Sequence, residues 1–186
     1  MAFPTVDAKT TGATGAGVNV TSHTINIPAT VSGKLFVAMV SMDGSRSEDD
    51  AGWPAGWTEF VAADSPASTA LTSGVALNCA YRIADGGEGA SITYTTAGSE
   101  RGTYVVYLIG GWHGTTPPED SAAVAGGSTN ADPGSLTPSW GSADTLWLAV
   151  AAADTGTTTF SAAPTSYTDL DTVEEGSIGG TAIGVA

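Results

Sequence analysis

Alternating apolar and polar residues divide most of the chain into short segments of the kind that form β-strands. The clearest alternation runs from Val75 to Ile83, where the odd positions are large or apolar and the even positions are small or polar. Because successive side chains of a strand point to opposite faces of its sheet, this pattern predicts a half-buried strand. The segment from Leu35 to Met42 is apolar almost throughout and predicts a central strand.

Further strand-like segments follow at intervals of roughly ten residues, separated by turn residues. They are Phe3 to Lys9, Ser22 to Pro28, Trp57 to Ala62, Ser91 to Thr95, Thr103 to Ile109, Leu146 to Ala152, Tyr167 to Val173 and Ile178 to Val185. Short strands are also expected near Ala122 to Ala125 and Ser135 to Thr137, whereas the Gly- and Thr-rich run from Thr10 to Val20 is expected to be a connection. No interval carries the apolar period of a helix. The pattern therefore predicts an all-β protein, arranged as an antiparallel β-sandwich or a jelly roll.

Three segments of the first half recur, in the same order, in the second half. Lys34 to Ser45 is echoed by Thr145 to Gly156, Pro54 to Phe60 by Pro164 to Leu170, and Gly74 to Ala80 by Gly180 to Ala186. Each copy has the pattern strand, loop, strand, loop, strand. We therefore expect residues 33–83 and 144–186 to form a partial internal repeat within a single domain, residues 1–186.

The second copy stops within its third strand, and this predicts an open sheet edge. The first copy continues into two more strand-like segments, whereas Ala186 is the last residue of the sequence. An unpaired strand presents free N–H and C=O groups that template another strand. We therefore expect Ile178 to Ala186 to be covered by a neighbouring subunit or by further residues.

The core is expected to form where the alternating apolar positions of the two copies meet. Ten residues are predicted to be mostly buried: Leu35, Val37, Leu77, Cys79, Tyr81, Val105, Tyr107, Leu146, Leu148 and Ile183. Leu35 and Leu146 should occupy equivalent buried positions. Since Cys79 is the only cysteine, we expect a buried thiol and no intrachain disulfide.

Charge narrows the range of partners. The 186 residues include five Lys or Arg and nineteen Asp or Glu, for a formal net charge of −14. Such a surface repels phosphate groups, so nucleic acid and anionic membranes are poor partners. No apolar run approaches the roughly eighteen residues that span a bilayer.

Candidate catalytic and metal-binding groups are few. The acidic residues grouped after a predicted strand, with their one counterpart in the second copy, are Asp43, Glu48, Asp49, Asp50 and Asp154. Their spacing is not that of an EF-hand, and Asp before Gly or Thr is ordinary turn chemistry. His23, His113 and a single cysteine are too few ligands for zinc, and no G-x-S-x-G nucleophile turn is present. We expect no enzyme activity, no cofactor and no metal site, and a hydrolase is the least favoured function.

Two of the tryptophans are consistent with a glycan-binding function. Carbohydrate-binding sandwiches use exposed Trp and Tyr rings as platforms on which sugars stack. Trp53 and Trp112 lie on predicted loops and are the two candidates for glycan contact. Trp57 and Trp147 fall on positions that carry aromatic residues in both copies, where an aromatic side chain is more often a core anchor.

Three motifs give the chain a resemblance to a known class of proteins. They are a Pro-x-Gly-Trp-Thr turn (Pro54 to Thr58), a Tyr-Arg-x-Ala-Asp-Gly-x-Glu element (Tyr81 to Glu88) and a Trp-Gly-x-Ala-Asp-x-Leu-Trp segment (Trp140 to Trp147). From about Gly33 onward, the chain resembles a β-sandwich module of structural proteins from tailed phages and prophages.

The resemblance implies assembly and binding, and it carries no catalytic residue. The function it implies is that of a virion structural protein, as a capsid decoration, a fibre or a tail component. Its partners would be other copies of itself and other virion proteins, and its location would be the virion. The alternative is a carbohydrate-binding module that adheres to glycans through Trp53 or Trp112.

Overall fold

The structure, a computed structural model, describes residues 3–15, 17–44, 52–65, 74–123, 133–141, 143–155, 157–176 and 180–186. These residues form ten β-strands and no helix. The strands are β1 (Thr5–Thr14), β2 (Val20–Asn26), β3 (Leu35–Asp43), β4 (Thr58–Ser65), β5 (Val75–Ile83), β6 (Ser91–Glu100), β7 (Gly102–Gly110), β8 (Val150–Ala153), β9 (Asp171–Glu174) and β10 (Ala182–Val185). The predicted all-β class is confirmed.

The strands are arranged in three antiparallel sheets. The central sheet has five strands in the order β1-β7-β3-β5-β4, a second sheet has the order β8-β10-β9, and a third pairs β2 with β6. β3 and β5 pair without interruption, from Leu35 against Ile83 to Asp43 against Val75. The apolar strand β3 is third of five, as its sequence predicts.

The central sheet is covered on both faces, so the sandwich has three layers. Even-numbered side chains of β3, such as Phe36, pack with Ile25 of β2 and Tyr94 of β6. Odd-numbered side chains, such as Val37, pack with Ile183 of β10. Because neighbouring side chains of a strand point to opposite faces, these two apolar clusters lie on opposite faces of one sheet.

All ten residues predicted for the core lie in the cluster between the central sheet and β8-β10-β9. Six of them are buried, namely Leu35, Val37, Cys79, Val105, Tyr107 and Ile183. Four are half-buried and pack against these six: Leu77, Tyr81, Leu146 and Leu148. The cluster on the opposite face, around Phe36, lies outside that prediction, because the prediction followed only one side of each alternating strand.

The strands of residues 33–83, which are part of the five-stranded sheet, lie in the same order as the strands of residues 144–186, which form a sheet of their own. In both β3-β5-β4 and β8-β10-β9, the third strand along the chain lies between the first and the second. Met39 pairs with Cys79 in the first unit. The corresponding residues of the second unit, Val150 and Val185, also pair with each other. The correspondence therefore extends from the order of the strands to individual residue pairs.

The same tight turn precedes the second strand of both units. The backbone N–H of Trp57 donates to the carbonyl of Pro54 at 3.2 Å, and that of Tyr167 donates to the carbonyl of Pro164 at 3.0 Å. Each turn begins with a proline, whose carbonyl accepts the hydrogen bond that closes the turn. Matching sequence has thus produced matching local geometry.

The prediction of an open edge at the end of the chain is wrong. β10 lies between β8 and β9 and pairs with both. Ile183 and Val185 are fully buried against the central sheet, whereas Ile178 lies outside the described residues. In the first copy, β6 pairs with β2, and β7 pairs with β1 and β3. The third strand of a copy therefore needs no later strand to complete its pairing.

Other local predictions also differ from the structure. β1 continues to Thr14, through the run expected to be a connection, because β7 supplies backbone partners as far as Gly102. β6 extends to Glu100, so that Arg101 alone separates it from β7. Residues 135–137 do not form the short strand predicted for them. The other predicted short strand, Ala122 to Ala125, includes residues 124–125, which lie outside the described part of the chain.

Candidate functional site

Trp53 is half-buried in an aromatic cluster on the β2–β6 face of the central sheet. Its ring stacks on Trp57, with centroids 5.7 Å apart, and meets Tyr94 edge-on at 4.9 Å. Trp57 in turn lies 5.9 Å from Phe36, between ring centroids. One face of Trp53 is therefore occupied by another ring, which reduces the platform that this residue offers to a sugar.

Trp112 lies on the other side of the molecule. It packs against the cluster between the central sheet and β8-β10-β9, and its Nε1 donates to the carbonyl of Gly33 at 2.9 Å. Trp53 and Trp112 therefore do not share a surface. Trp147, expected to be a core anchor, has 43% of its surface exposed and is the tryptophan most open to solvent among those described.

Arg82 joins two of the three motifs. Its guanidinium contacts the carboxylates of Asp85 at 2.8 Å and Glu88 at 3.3 Å, and Nη1 donates to the carbonyl of Ala55 at 3.3 Å. Glu88 also accepts hydrogen bonds from the backbone N–H groups of Asp85 and Gly86, at 2.6 and 3.2 Å. The charged residues of the second motif thus bind one another and hold the turn of the first motif.

Gly56 lies against the guanidinium of Arg82, and the third motif is held by hydrogen bonds of its own. Gly56 has a φ of +89°, and a Cβ atom there would lie 2.9 Å from Nη1 of Arg82. Glycine adopts this backbone conformation without strain, and its lack of a Cβ atom leaves room for the guanidinium of Arg82. In the third motif, Trp140 Nε1 donates to Thr145 Oγ1 at 2.9 Å, and Thr145 donates to the carbonyl of Ala143 at 2.9 Å.

The two histidines occupy separate, unrelated places. His23 is fully buried, with Nδ1 2.7 Å from Thr14 Oγ1 and Nε2 3.0 Å from Thr96 Oγ1. Burial lowers the pKa of His23 to about 4, so the imidazole is neutral at pH 7. His113 is exposed, and its Nδ1 bonds to threonine hydroxyls of its own loop.

Carboxylates from both matching stretches meet at one end of the central sheet. Asp43 ends β3, and its backbone N–H donates to the carbonyl of Arg101 at 2.9 Å. Asp154 directly follows β8, and its Oδ2 accepts the N–H of Gly74 at 3.0 Å. Glu175 directly follows β9, with one carboxylate oxygen 3.8 Å from the guanidinium of Arg101.

Glu100 completes this group, which we call the carboxylate junction: Asp43, Glu100, Arg101, Asp154 and Glu175. Glu100 is buried. Gly44 follows Asp43, and a Cβ atom at Gly44 would lie 3.0 Å from both carboxylate oxygens of Glu100. Of these carboxylates, that of Glu175 lies 3.8 Å from the guanidinium of Arg101, and the charge of Arg101 also acts on Asp43.

The protonation of the junction is altered by its surroundings. Burial and, to a smaller extent, the negative charges of Asp154 and Glu175 together raise the pKa of Asp43 to about 6, against the opposing effect of Arg101. Burial also raises the pKa of Asp154, although the N–H of Gly74 opposes it. Asp43 and Asp154 were singled out by the repeat, but the other members are too distant in sequence to be grouped with them. Glu48, Asp49 and Asp50 lie outside the described residues.

The basic side chains of the described residues form ion pairs within the chain. Each of the four described there pairs with a carboxylate: Lys9 with Asp171, Lys34 with Asp7, Arg82 with Asp85 and Glu88, and Arg101 with Glu175. Asp171 also accepts a hydrogen bond from the hydroxyl of Tyr107 at 2.7 Å. Because these cations are paired, the surplus charge of the surface is negative.

Among the described residues, no three His, Cys, Asp or Glu side chains are grouped so that they could hold a metal ion. The same residues contain no helix long and apolar enough to cross a membrane. Cys79 is buried, and burial raises the pKa of its thiol. No family model, no curated protein and no solved structure matches the chain.

Proposed function

We propose that the chain is a structural component of a tailed-phage virion, as a capsid decoration, a fibre or a tail protein. It acts by assembly and binding, without turnover of a substrate. Its partners are other copies of itself and other virion proteins. This proposal rests on the resemblance of its motifs, and the following contacts support it.

The observation that carries the proposal is that all three motifs build the scaffold. Arg82 binds the second motif to itself and to the turn of the first motif. Trp57 of the first motif is buried in the core, and Trp140 closes the third motif on Thr145. The residues of these motifs stabilise the fold. This is the role expected of recurring motifs in a structural protein, whose function depends on its shape.

The edges and charge of the molecule suit assembly. β1 and β4 are the outer strands of the central sheet, and each lacks a strand partner on its outer side within the described residues. Such edges can accept a strand from a neighbouring chain. The anionic surface disfavours binding to nucleic acid, so a place among the protein components of a particle is favoured.

Particles purified from a culture of the source organism test the proposal. We expect mass spectrometry of gradient fractions to find the chain at many copies per particle, in the fractions that contain the major capsid protein. A strain with the gene deleted supplies the control for co-sedimenting contaminants. If the chain stays in the soluble fraction while the capsid protein sediments, the proposal fails.

Glycan adhesion is the second candidate, and the exposure of Trp147 is the observation that favours it. Retention on polysaccharide columns tests this function separately from assembly. Trp147→Ala should abolish retention if this ring is the platform. Trp53→Phe and Trp112→Phe, which keep an aromatic ring in the core, report on the two tryptophans that the sequence suggested. No retention of the unsubstituted protein would exclude the glycans tested.

A further inference from the structure

A chain of hydrogen bonds joins the central sheet to both strands of the β2–β6 sheet. It consists of Thr14 of β1, His23 of β2 and Thr96 of β6, all three buried, and we call it the histidine bridge. We propose that this bridge is a pH-operated switch, which holds the β2–β6 sheet on the central sheet while the imidazole is neutral and releases that sheet, ahead of the rest of the sandwich, when the imidazole gains a proton. The switch does not depend on the proposed virion function.

The hydrogen-bond partners determine which nitrogen of His23 carries the hydrogen. The hydroxyl of Thr96 donates to the carbonyl of Gly98 at 2.7 Å. A hydroxyl has only one hydrogen, so the same oxygen accepts from Nε2 of His23 at 3.0 Å. A neutral imidazole has one N–H group, so Nδ1 carries no hydrogen and accepts from the hydroxyl of Thr14 at 2.7 Å. The bridge therefore requires a neutral imidazole with its hydrogen on Nε2.

A second proton on the imidazole conflicts with this arrangement. It places an N–H group on Nδ1, so the hydroxyl of Thr14 can no longer donate there and its hydrogen needs another acceptor. It also creates a positive charge on His23, which has no exposed surface, and a buried charge is costly without a paired anion or water. Opening of the β2–β6 sheet brings water to the ring, so the proton favours the released form.

The β2–β6 sheet is suited to release as a unit. Its two strands pair with each other and form a sheet separate from the central one. Because a two-stranded sheet is at best marginally stable alone, this one depends on its contacts with the central sheet. Ile25 and Tyr94 pack in the apolar cluster with Phe36. At the end of β2, the N–H of Asn26 donates to the hydroxyl of Tyr104 at 3.3 Å, and the histidine bridge adds a link nearer the start of β2.

The charges of the neighbouring strands do not set the protonation of His23. The titratable groups on the strands around it are Tyr94 and Glu100 of β6, Tyr104 and Tyr107 of β7, and Asp7 and Lys9 of β1. Tyrosine is uncharged in acid, and Asp7 and Lys9 are held in ion pairs. Burial, and not any of these charges, lowers the pKa of His23 from 6.5 to about 4. The stabilisation by the neutral ring is therefore fully present above pH 6.5 and is lost as the pH falls through about 4.

The nitrogen NMR signals of His23 test the bridge itself, because a bare imidazole nitrogen and an N–H nitrogen give distinct signals. At pH 7 we expect the hydrogen on Nε2 and none on Nδ1. His113→Gln removes the other histidine of the sequence and so identifies the signals of His23. A hydrogen on Nδ1 at pH 7 would overturn the bridge, and the proposal with it.

Amide hydrogen exchange, corrected for the intrinsic effect of pH on exchange, measures the release. The equilibrium constant for opening of the amides in β2 and β6 should rise about a hundredfold between pH 7 and pH 4. The amides of β10, on the opposite face of the central sheet, should show a far smaller rise. In the unsubstituted protein, the rise in β2 and β6 should follow the same pH curve as the protonation of His23, so this comparison does not depend on a variant that folds.

Two variants separate the switch from general acid unfolding. His23→Gln has an amide that can both donate and accept but does not titrate, and it should abolish the rise in β2 and β6. His113→Gln, at an exposed site, should leave the rise unchanged. The proposal is overturned if β10 opens together with β2 and β6 over the same pH range, if His23→Gln keeps the rise, or if His113→Gln abolishes it.

Discussion

Leu77 and Ile183 occupy equivalent positions on two sheets that face each other. Leu77 pairs with Ala63 in the first unit, and Ile183 pairs with Val173, the counterpart of Ala63, in the second. Both side chains contribute to the cluster between the sheets, yet Ile183 is fully buried and Leu77 only half-buried. Equal backbone positions thus carry unequal amounts of apolar contact.

Truncation of these two residues should have unequal effects on stability. Ile183→Ala removes a fully buried side chain and should lower the free energy of unfolding by about 2–5 kcal/mol. Leu77→Ala should cost about half as much, with a fall of several degrees in melting temperature. Urea unfolding of the two variants measures the difference. An equal or larger loss for Leu77→Ala would show that the burial of the two positions has been assigned wrongly.

Removal of the Arg82 side chain should destabilise the fold more than removal of an exposed cation. Arg82→Ala leaves the Glu88 carboxylate, which is inaccessible to solvent, without its ion pair, and should cost about 1–3 kcal/mol. Lys9→Ala is the matched control, because the Lys9 side chain is half-exposed in its pair with Asp171, and it should cost about 1 kcal/mol or less. Similar losses in both variants would refute a central role for Arg82.

His23 should make the protein less stable in acid. Because burial lowers its pKa from 6.5 to about 4, its contribution is present above pH 6.5 and is lost as the pH falls through about 4. His23→Gln does not titrate, so the stability gap between this variant and the unsubstituted protein should narrow between pH 7 and pH 4. His113→Gln, at an exposed site, should keep the gap constant. A constant gap for His23→Gln would mean that His23 is not buried in its neutral form.

The sequence predicts best those strands whose pattern is local. The alternation from Val75 to Ile83 corresponds to β5 with the same first and last residues, because the two faces of this strand differ in character along its whole length. The apolar segment from Leu35 to Met42 becomes β3, which is buried on both sides. In both cases the residues themselves determine the direction of each side chain.

The pairing of strands that lie far apart in the sequence could not be predicted from the sequence. β10 is surrounded by β8 and β9, and no local pattern distinguishes such a strand from an edge strand. β1 continues through Gly12 only because β7 pairs with it. The carboxylate junction is missed for the same reason: Asp43 and Glu175 are brought together by the packing of one sheet on another.

Amide hydrogen exchange in β10 tests the central claim, that β10 is the middle strand of a three-stranded sheet formed within this chain. Ala182 to Val185 form the middle strand of their sheet and are buried, so their amides should exchange as slowly as those of β5, the middle strand of the first unit. Slow exchange in both strands would support the account. Exchange in β10 as fast as in the turn at residues 164–167 would contradict it.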